Sequence, residues 1–333
     1  MSAFHLLITI VVVSLAFDFT NGWHDAASSI ATVVSTRVLR PLWAVIWAAF
    51  WNLVAPLTFG TAVAATVGKG LVRLDLVTPQ VLLAGLLGAI IWNYATIRMG
   101  IPCSSSHALM GGYGGAAIAA VGFRAIIVHG WVKPVIFIFI GPMIGLVAGV
   151  VVTVATSWVV RQQSPQKVDR WFRRLQLVSA AAFSFSHGTN DAQKSMGIIT
   201  AALVTSGVIG AYRVPDWVII CCALAMAGGT MSGGWRVVKT MGQRITKLNP
   251  FGGFAAETSA AITLIGTAAA GIPASSTQVI TGAIAGVGAS RRLTAVRWGV
   301  TRDIMWAWVL TIPGAGLMGA IFDFAMRHWM AMK

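Results

Sequence analysis

The stretch Phe17-Asp-Phe-Thr-Asn-Gly-Trp-His-Asp-Ala26 occurs twice in this chain, the second time as Phe183-Ser-Phe-Ser-His-Gly-Thr-Asn-Asp-Ala192. Asp191 follows Asp25 by 166 positions, about half of the 333 residues. The same shift lays Phe185 on Phe19, Gly188 on Gly22 and Ala192 on Ala26. A second pair repeats in the same order, 171 positions apart: Gly100-Ile-Pro-Cys-Ser-Ser-Ser-His107 and Gly271-Ile-Pro-Ala-Ser-Ser-Thr-Gln278. Two motifs recurring at nearly one spacing read as two homologous halves, residues 1–165 and 166–333.

Composition sets the environment of those halves. Mean hydropathy is +0.79, 57% of residues are hydrophobic and 10% are charged, against about a quarter charged in soluble domains. Apolar stretches near 20 residues recur from end to end, so the chain reads as an all-α polytopic membrane protein. The alternation of a β-barrel is absent. A net charge of +15 invites a nucleic-acid reading, but the basic residues cluster in short loops between apolar spans, as membrane topology demands. Cys103, Cys221 and Cys222 are too few and badly placed for a disulfide framework and read as small apolar fillers. Residues 3–17 lack a basic leader and run straight into the repeated motif, so they read as a retained span.

Residues 3–36 are apolar but interrupted by Asp18–Asp25. One straight helix of that length is about 50 Å, against a hydrocarbon core of about 30 Å, so a helix broken at Gly22 is expected. A single span over 41–68 follows, then a re-entrant hairpin with arms 79–97 and 108–122 and its tip at Pro102–Ser106. Pro and three serines are tolerated at membrane depth only inside protein or a cavity. A long span closes the half near Val160. The second half repeats the plan: a broken helix over 175–206, a span over 216–235, a basic loop Arg236–Lys247, a hairpin with arms 252–270 and 279–290, and a last span over 303–325.

Each half thus makes three crossings and one hairpin that returns to its own side. An odd number of crossings turns the second half over, giving two inverted-topology repeats. With the N-terminus outside, 15 of the 24 Lys and Arg residues fall on the inner side, seven fall outside, and Arg98 and Lys194 stay at membrane depth. That bias favours both termini outside.

Asp25, Asp191, Glu257 and Lys194 are ionisable groups at membrane depth, which are costly there and mark ion or substrate paths. The clusters Ser104-Ser105-Ser106 and Ser275-Ser276-Thr277 precede short helical arms. Helix N-termini and hydroxyl donors suit an anion, so the two clusters read as one cradle, with plain helix capping as the bland alternative. His24 aligns with Asn190 and His187 with Asn21, too irregular to specify a metal site, and none is assigned. No nucleophile–base pairing is legible, so no enzymatic activity is expected.

Asn21-Gly-Trp-His-Asp25, His187-Gly-Thr-Asn-Asp191 and the two Gly-Ile-Pro-x-Ser-Ser hairpins resemble the Pit/PiT family of inorganic phosphate transporters, along essentially the whole chain and closest to its bacterial branch. The resemblance implies import of inorganic phosphate by symport with protons or sodium, or as a metal–phosphate complex, by a multi-pass protein of the plasma (inner) membrane without a cofactor. It implies that Asp25, Asn190 and Asp191 bind ion and substrate, and that Ser104–Ser106 and Ser275–Thr277 hold phosphate. Asn21, Asp25, Ser28, Asp191 and Glu257 would couple the ion. Ser28 and Gln278 depart from the family pattern, where Asn and His are usual. Sulfate permease is the near alternative and an anion channel the distant one. The partners expected are inorganic phosphate and lipid, with no nucleic acid; a homo-oligomer stays open.

Overall fold

The computed structural model describes residues 3–331, and its regular elements are helices; among the described residues, extended pairing is confined to an isolated bridge between Val72 and Ile126. The first half contains α1 (Ala3–Ser35), α2 (Pro41–Thr58), α3 (Ala62–Lys69), α4 (Pro79–Met99), α5 (Ser105–Val121) and α6 (Val128–Val160). The second contains α7 (Pro165–Thr205), α8 (Asp216–Ser232), α9 (Trp235–Lys239), α10 (Pro250–Ala269), α11 (Ser276–Arg291) and α12 (Trp298–Ala331). The succession is the same in both. Pro opens α2, α4, α7 and α10, where its missing N–H costs no helical bond.

The expected breaks at Gly22 and Gly188 are not there. α1 runs unbroken for 33 residues and α7 for 41. The glycines serve close packing instead. A Cβ on Gly22 would lie 2.2 Å from the Met226 carbonyl oxygen of α8, and one on Gly188 would lie 2.8 Å from the Asn52 carbonyl oxygen of α2. Small residues let helices approach to backbone contact. The polar motif residues need no break either, because protein rather than lipid surrounds them: Asp18, Asn21, Asp25 and the whole run Ser186–Ser195 are buried.

The breaks fall in the second helix of each half. The span expected over 41–68 is divided at Phe59-Gly60-Thr61 into α2 and α3. α8 ends at Ser232 and bends by 62° through Gly233-Gly234 into α9 and a π-helical turn, Thr240–Arg244. Arg236–Arg244, expected as loop, is therefore helical. The basic link between halves is helical too, since Lys167, Arg170, Arg173 and Arg174 occupy the first turns of α7. At about 60 Å, α7 outruns a bilayer core of about 30 Å. α1, α2, α4, α6 and α12 are long and apolar enough to cross a membrane, and α8–α9 joins them when the bent pair counts as one span. α7 falls short in hydropathy because its central turns face protein on every side.

The halves exchange partners. α1 packs along α8, and α7 packs along α2 and α3. α5 lies between α4 and α12, while α11 lies between α10 and α6. α6 and α12 each present an outer apolar face, with Phe139, Met143, Val147 and Val151 exposed on one and Trp306, Leu310, Leu317 and Phe324 on the other. That is the surface a lipid-facing helix presents.

The loops gather at two ends. At one, Lys69 stacks over Tyr212, the Ile127 N–H donates to Leu71, and Arg327 donates to the Ala119 and Ala120 carbonyls. At the other, Arg173 donates to the Arg37 carbonyl, Arg291 to Asn249, and the Arg297 N–H to Ile245. These are the two groups into which the charge distribution sorted the loops.

Candidate functional site

α1 and α7 cross antiparallel. Ser195 donates to Asp18 at 2.6 Å, His187 Nε2 lies 3.9 Å from Asp25, and Thr36 donates to Gln176 at 2.9 Å. Numbers rising along α1 meet numbers falling along α7. The duplicated motifs therefore meet at the crossing, with Asp25 and Asp191 on either side of His187.

The two hairpin tips reach the same place. Gly100 and Gly271 turn the chain with φ of +69° and +66°, a conformation that glycine adopts without the Cβ clash. Their carbonyls accept bonds from Thr240 at 3.0 Å and Thr66 at 2.8 Å, each threonine lying beyond the helix break of the opposite half. The next serine caps the following helix: Ser104 Oγ accepts from the His107 N–H at 3.2 Å, and Ser275 Oγ from the Gln278 N–H at 3.4 Å. The middle hydroxyls go to the carboxylates. Ser105 donates to Asp25 Oδ2 at 2.6 Å, and Ser276 to Asp191 Oδ2 at 2.9 Å. Of the last hydroxyls, Thr277 donates to Asp25 Oδ1 at 3.0 Å and lies 3.1 Å from Ser28 Oγ. Ser106 accepts from Lys194 Nζ, which also donates to Asp191.

Two imidazoles complete the cluster. His24 Nδ1 lies 2.7 Å from Asp25 Oδ1, with its Nε2 at 3.5 Å from Cys103 Sγ. His187 Nε2 lies 2.8 Å from Asp191 Oδ2, with its Nδ1 at 3.1 Å from Asn52 Oδ1. His107 Nδ1 and Gln278 Nε2, equivalent in the two hairpins, stand 3.3 Å apart. Every one of these side chains is buried.

Of the residues singled out by sequence, the structure brings together Asp25, Ser28, Asp191, Ser105, Ser106, Ser276 and Thr277. Ser104 and Ser275 act as helix caps. Asn21 and Asn190 are buried beside the motif aspartates, and neither amide has a hydrogen-bond partner among the protein atoms. Such groups are costly without a polar occupant. Glu257 stands apart. It accepts from Thr32 at 2.5 Å, Ser179 at 2.5 Å and Gln176 at 3.1 Å, and Thr32 is about 10 Å along α1 from Asp25.

His24 and His187 belong to the site without having been assigned to it, and Lys194, expected only as an ionisable group on an ion or substrate path, bonds Ser106 and Asp191 there. A helical signal for two of them exists: His187 and Lys194 stand four before and three after Asp191, on one face of a continuous helix. A break at Gly188 hides that spacing. Gln193 serves packing, since its Oε1 accepts from the first N–H groups of α3, Val63 at 2.9 Å and Ala64 at 3.3 Å. Asp25, His187 and Asp191 present ligand atoms all within 4.8 Å of one another, close enough to share a cation although no metal site was expected.

The model of the phosphate transporter family matches residues 21–319. The chain belongs to that family. A relative from Rhizobium meliloti (strain 1021), described as "Probable low-affinity inorganic phosphate transporter", is 53% identical over 324 residues, 97% of each chain. A relative of the same description from Bacillus subtilis (strain 168) is 44% identical over 330 residues, again 97% of each chain. The fold matches the solved structure titled "The sodium-dependent phosphate transporter" with a TM-score of 0.88 at 23% identity, covering 97% of this chain and 99% of the other. The family is one of transporters rather than enzymes, and its member here is a multi-pass helical membrane protein.

Proposed function

We propose that the chain imports inorganic phosphate across the plasma membrane by symport with a cation. The observation that carries this reading is the convergence of two hydroxyl-bearing helix N-termini, α5 and α11, on the buried carboxylates Asp25 and Asp191. The helix ends and hydroxyls favour an anion, whereas the carboxylates repel one unless positive charge arrives with it. A site so built takes anion and cation together, which is the elementary requirement of symport. Ser105, Ser106, Ser276 and Thr277 would contact phosphate, with Asn190 offering a free amide. Asn21, Asp25 and Ser28 would serve the cation beside Asp191, with Glu257 at Thr32, about 10 Å along α1 from Asp25. A protonated phosphate oxygen can donate to Asp25 or Asp191. Sulfate has no such hydrogen and leaves the carboxylate facing an acceptor, which disfavours it.

A metal–phosphate cargo finds support in one further observation. Two carboxylates and an imidazole, from Asp25, Asp191 and His187, offer a divalent cation the donors it takes readily, and their mutual approach within 4.8 Å suits a single ion.

The antiparallel crossing of α1 and α7 and the shared order of elements support residues 1–165 and 166–333 as inverted repeats. The hairpins α4–α5 and α10–α11 would then enter from opposite faces and meet near the midplane, and rocking of the halves would open the site alternately. The end carrying Arg37, Arg173 and Arg291 would face the cytoplasm, leaving both termini outside.

The test is uptake of labelled phosphate into proteoliposomes under sodium or proton gradients, with and without a divalent metal. Saturable accumulation that follows a cation gradient is expected, with sulfate a poor competitor. Unsaturable flux down the phosphate gradient alone would make the protein a channel, and sulfate accumulation would make it a sulfate permease.

A further inference from the structure

Lys194 and Ser28 hold the same position in the two halves, each three residues after its motif aspartate and 166 positions apart. Their surroundings correspond as well. Each aspartate takes a bond from the middle hydroxyl of a hairpin cluster, Asp25 from Ser105 and Asp191 from Ser276. Each has an imidazole beside it, from non-equivalent positions, His24 at 2.7 Å from Asp25 and His187 at 2.8 Å from Asp191. The last hydroxyls of the clusters, Ser106 and Thr277, lie next to the residue in question. What differs is chemical. In the second half an ammonium bridges Asp191 and Ser106. In the first, the short Ser28 faces Thr277, and of these two only Thr277 bonds Asp25.

We infer that Lys194 is a tethered cation that permanently fills one of two related cation positions, leaving only the other, bounded by Asp25, Ser28 and Thr277, for an exchangeable ion. A lysine ammonium is a compact point charge, and at 1% exposure it neutralises an equally buried Asp191. Being covalently attached, it crosses no membrane and adds nothing to the driving force. Asp25 has a carboxylate and two hydroxyl oxygens about it, hard donors of the kind that hard cations take. The chain thus carries one exchangeable cation fewer than its duplicated site would hold with a short side chain in both places.

This inference rests on the symport reading, and purified protein in proteoliposomes separates the two. The cation-to-phosphate ratio is read from the phosphate gradient at which net flux of labelled phosphate stops, under a fixed sodium or proton gradient. Lys194→Ser gives α7 the residue that α1 carries, and it should raise the ratio by one. With a tenfold cation gradient, the limiting phosphate accumulation should then rise about a further tenfold, or about 1.4 kcal/mol. Ser28→Lys fills the second position, and should lose cation-driven accumulation. An unchanged ratio in Lys194→Ser overturns the inference, as does Ser28→Lys that still accumulates phosphate on the cation gradient. Where Lys194→Ser cannot be recovered folded, Ser28→Lys decides alone. Wild-type protein that moves no phosphate under any gradient defeats the transport reading instead.

Discussion

Ser105 donates its hydroxyl to Asp25 Oδ2 across 2.6 Å, joining the tip of one hairpin to the helix that crosses α7. Its neighbour Ser104 does something else, capping α5 by accepting from the His107 N–H. The two serines should separate binding from stability. Ser105→Ala or Ser276→Ala should weaken phosphate binding by about 10- to 150-fold, the loss of about 1.5–3 kcal/mol for a hydroxyl bond to a charged group. Ser104→Ala or Ser275→Ala should cost about 1 kcal/mol of stability at unchanged affinity. Calorimetry and thermal unfolding of purified variants measure both, and equal phosphate affinity in all four would remove the hydroxyls from the binding site.

The aspartates should also differ from each other. Asp25→Asn is expected to insert and fold but to lose phosphate accumulation. Asp191→Asn strands the Lys194 ammonium in a buried site, where an unpaired charge costs about 3–5 kcal/mol. Lys194→Met in the same chain should recover most of that stability without restoring transport. Melting temperatures in detergent report the loss and its recovery; no recovery would mean that the pair does not stabilise the crossing.

Gly22 and Gly266 make a matched test of helix approach. A Cβ on Gly22 would lie 2.2 Å from the Met226 carbonyl oxygen, whereas one on Gly266 would meet nothing within 4 Å. Gly22→Ala should therefore separate α1 from α8 at a cost of about 1–3 kcal/mol, the usual penalty for overpacking. Gly266→Ala should be neutral or slightly stabilising, since alanine is the better helix former by about 1 kcal/mol. Comparable melting temperatures for the two variants would show that α1 and α8 tolerate separation.

Glu257 accepts from three side chains, Thr32, Gln176 and Ser179. The equivalent place in the other half holds Leu86 among Ile10, Val13 and Ile198, so packing in this architecture does not require the acid. Glu257→Gln is expected to retain phosphate exchange between the two sides and to lose cation-driven accumulation. Parallel assays of exchange and of net uptake in proteoliposomes make the comparison. Full accumulation by the variant would leave Glu257 as a polar lock between α1, α7 and α10.

Orientation is open to labelling. Lys69 stacks on Tyr212 at one end of the molecule, and Arg173 reaches Arg37 at the other. In a background free of the native cysteines, Lys69→Cys and Arg213→Cys should react with an impermeant thiol reagent on intact cells, and Gln166→Cys only after permeabilisation. The reverse pattern would turn the topology over.

The repeated motifs and the composition of the spans are legible in the sequence because both are written in residue order. The sequence misplaced the breaks because Gly22 and Gly188 look alike whether they bend a helix or admit a neighbour, and the neighbours are α8 and α2, far away in the chain. The same error concealed the alignment of His187 and Lys194 with Asp191, which needs an unbroken α7. The caps Ser104 and Ser275 could not be told from Ser105 and Ser276 either, since only the path of the chain after the tip decides which hydroxyl turns back to the backbone. Glu257 has no acidic counterpart in the first half, and its distance from Asp25 follows from the antiparallel crossing, which no local pattern reports.

The exchange of partners between halves bears on how the protein is made. α5 carries Ser105 and Ser106, and it is wedged between α4 and α12, a helix synthesised long after it. Until α12 inserts, the glycine-lined flank of α5 that meets Gly316 and Gly319 lacks its cover. The first hairpin cannot settle during synthesis of its own half, and the site assembles only once α12 is in place. Chains stalled before Trp298 should accordingly be cleared as misassembled intermediates, however complete their first half.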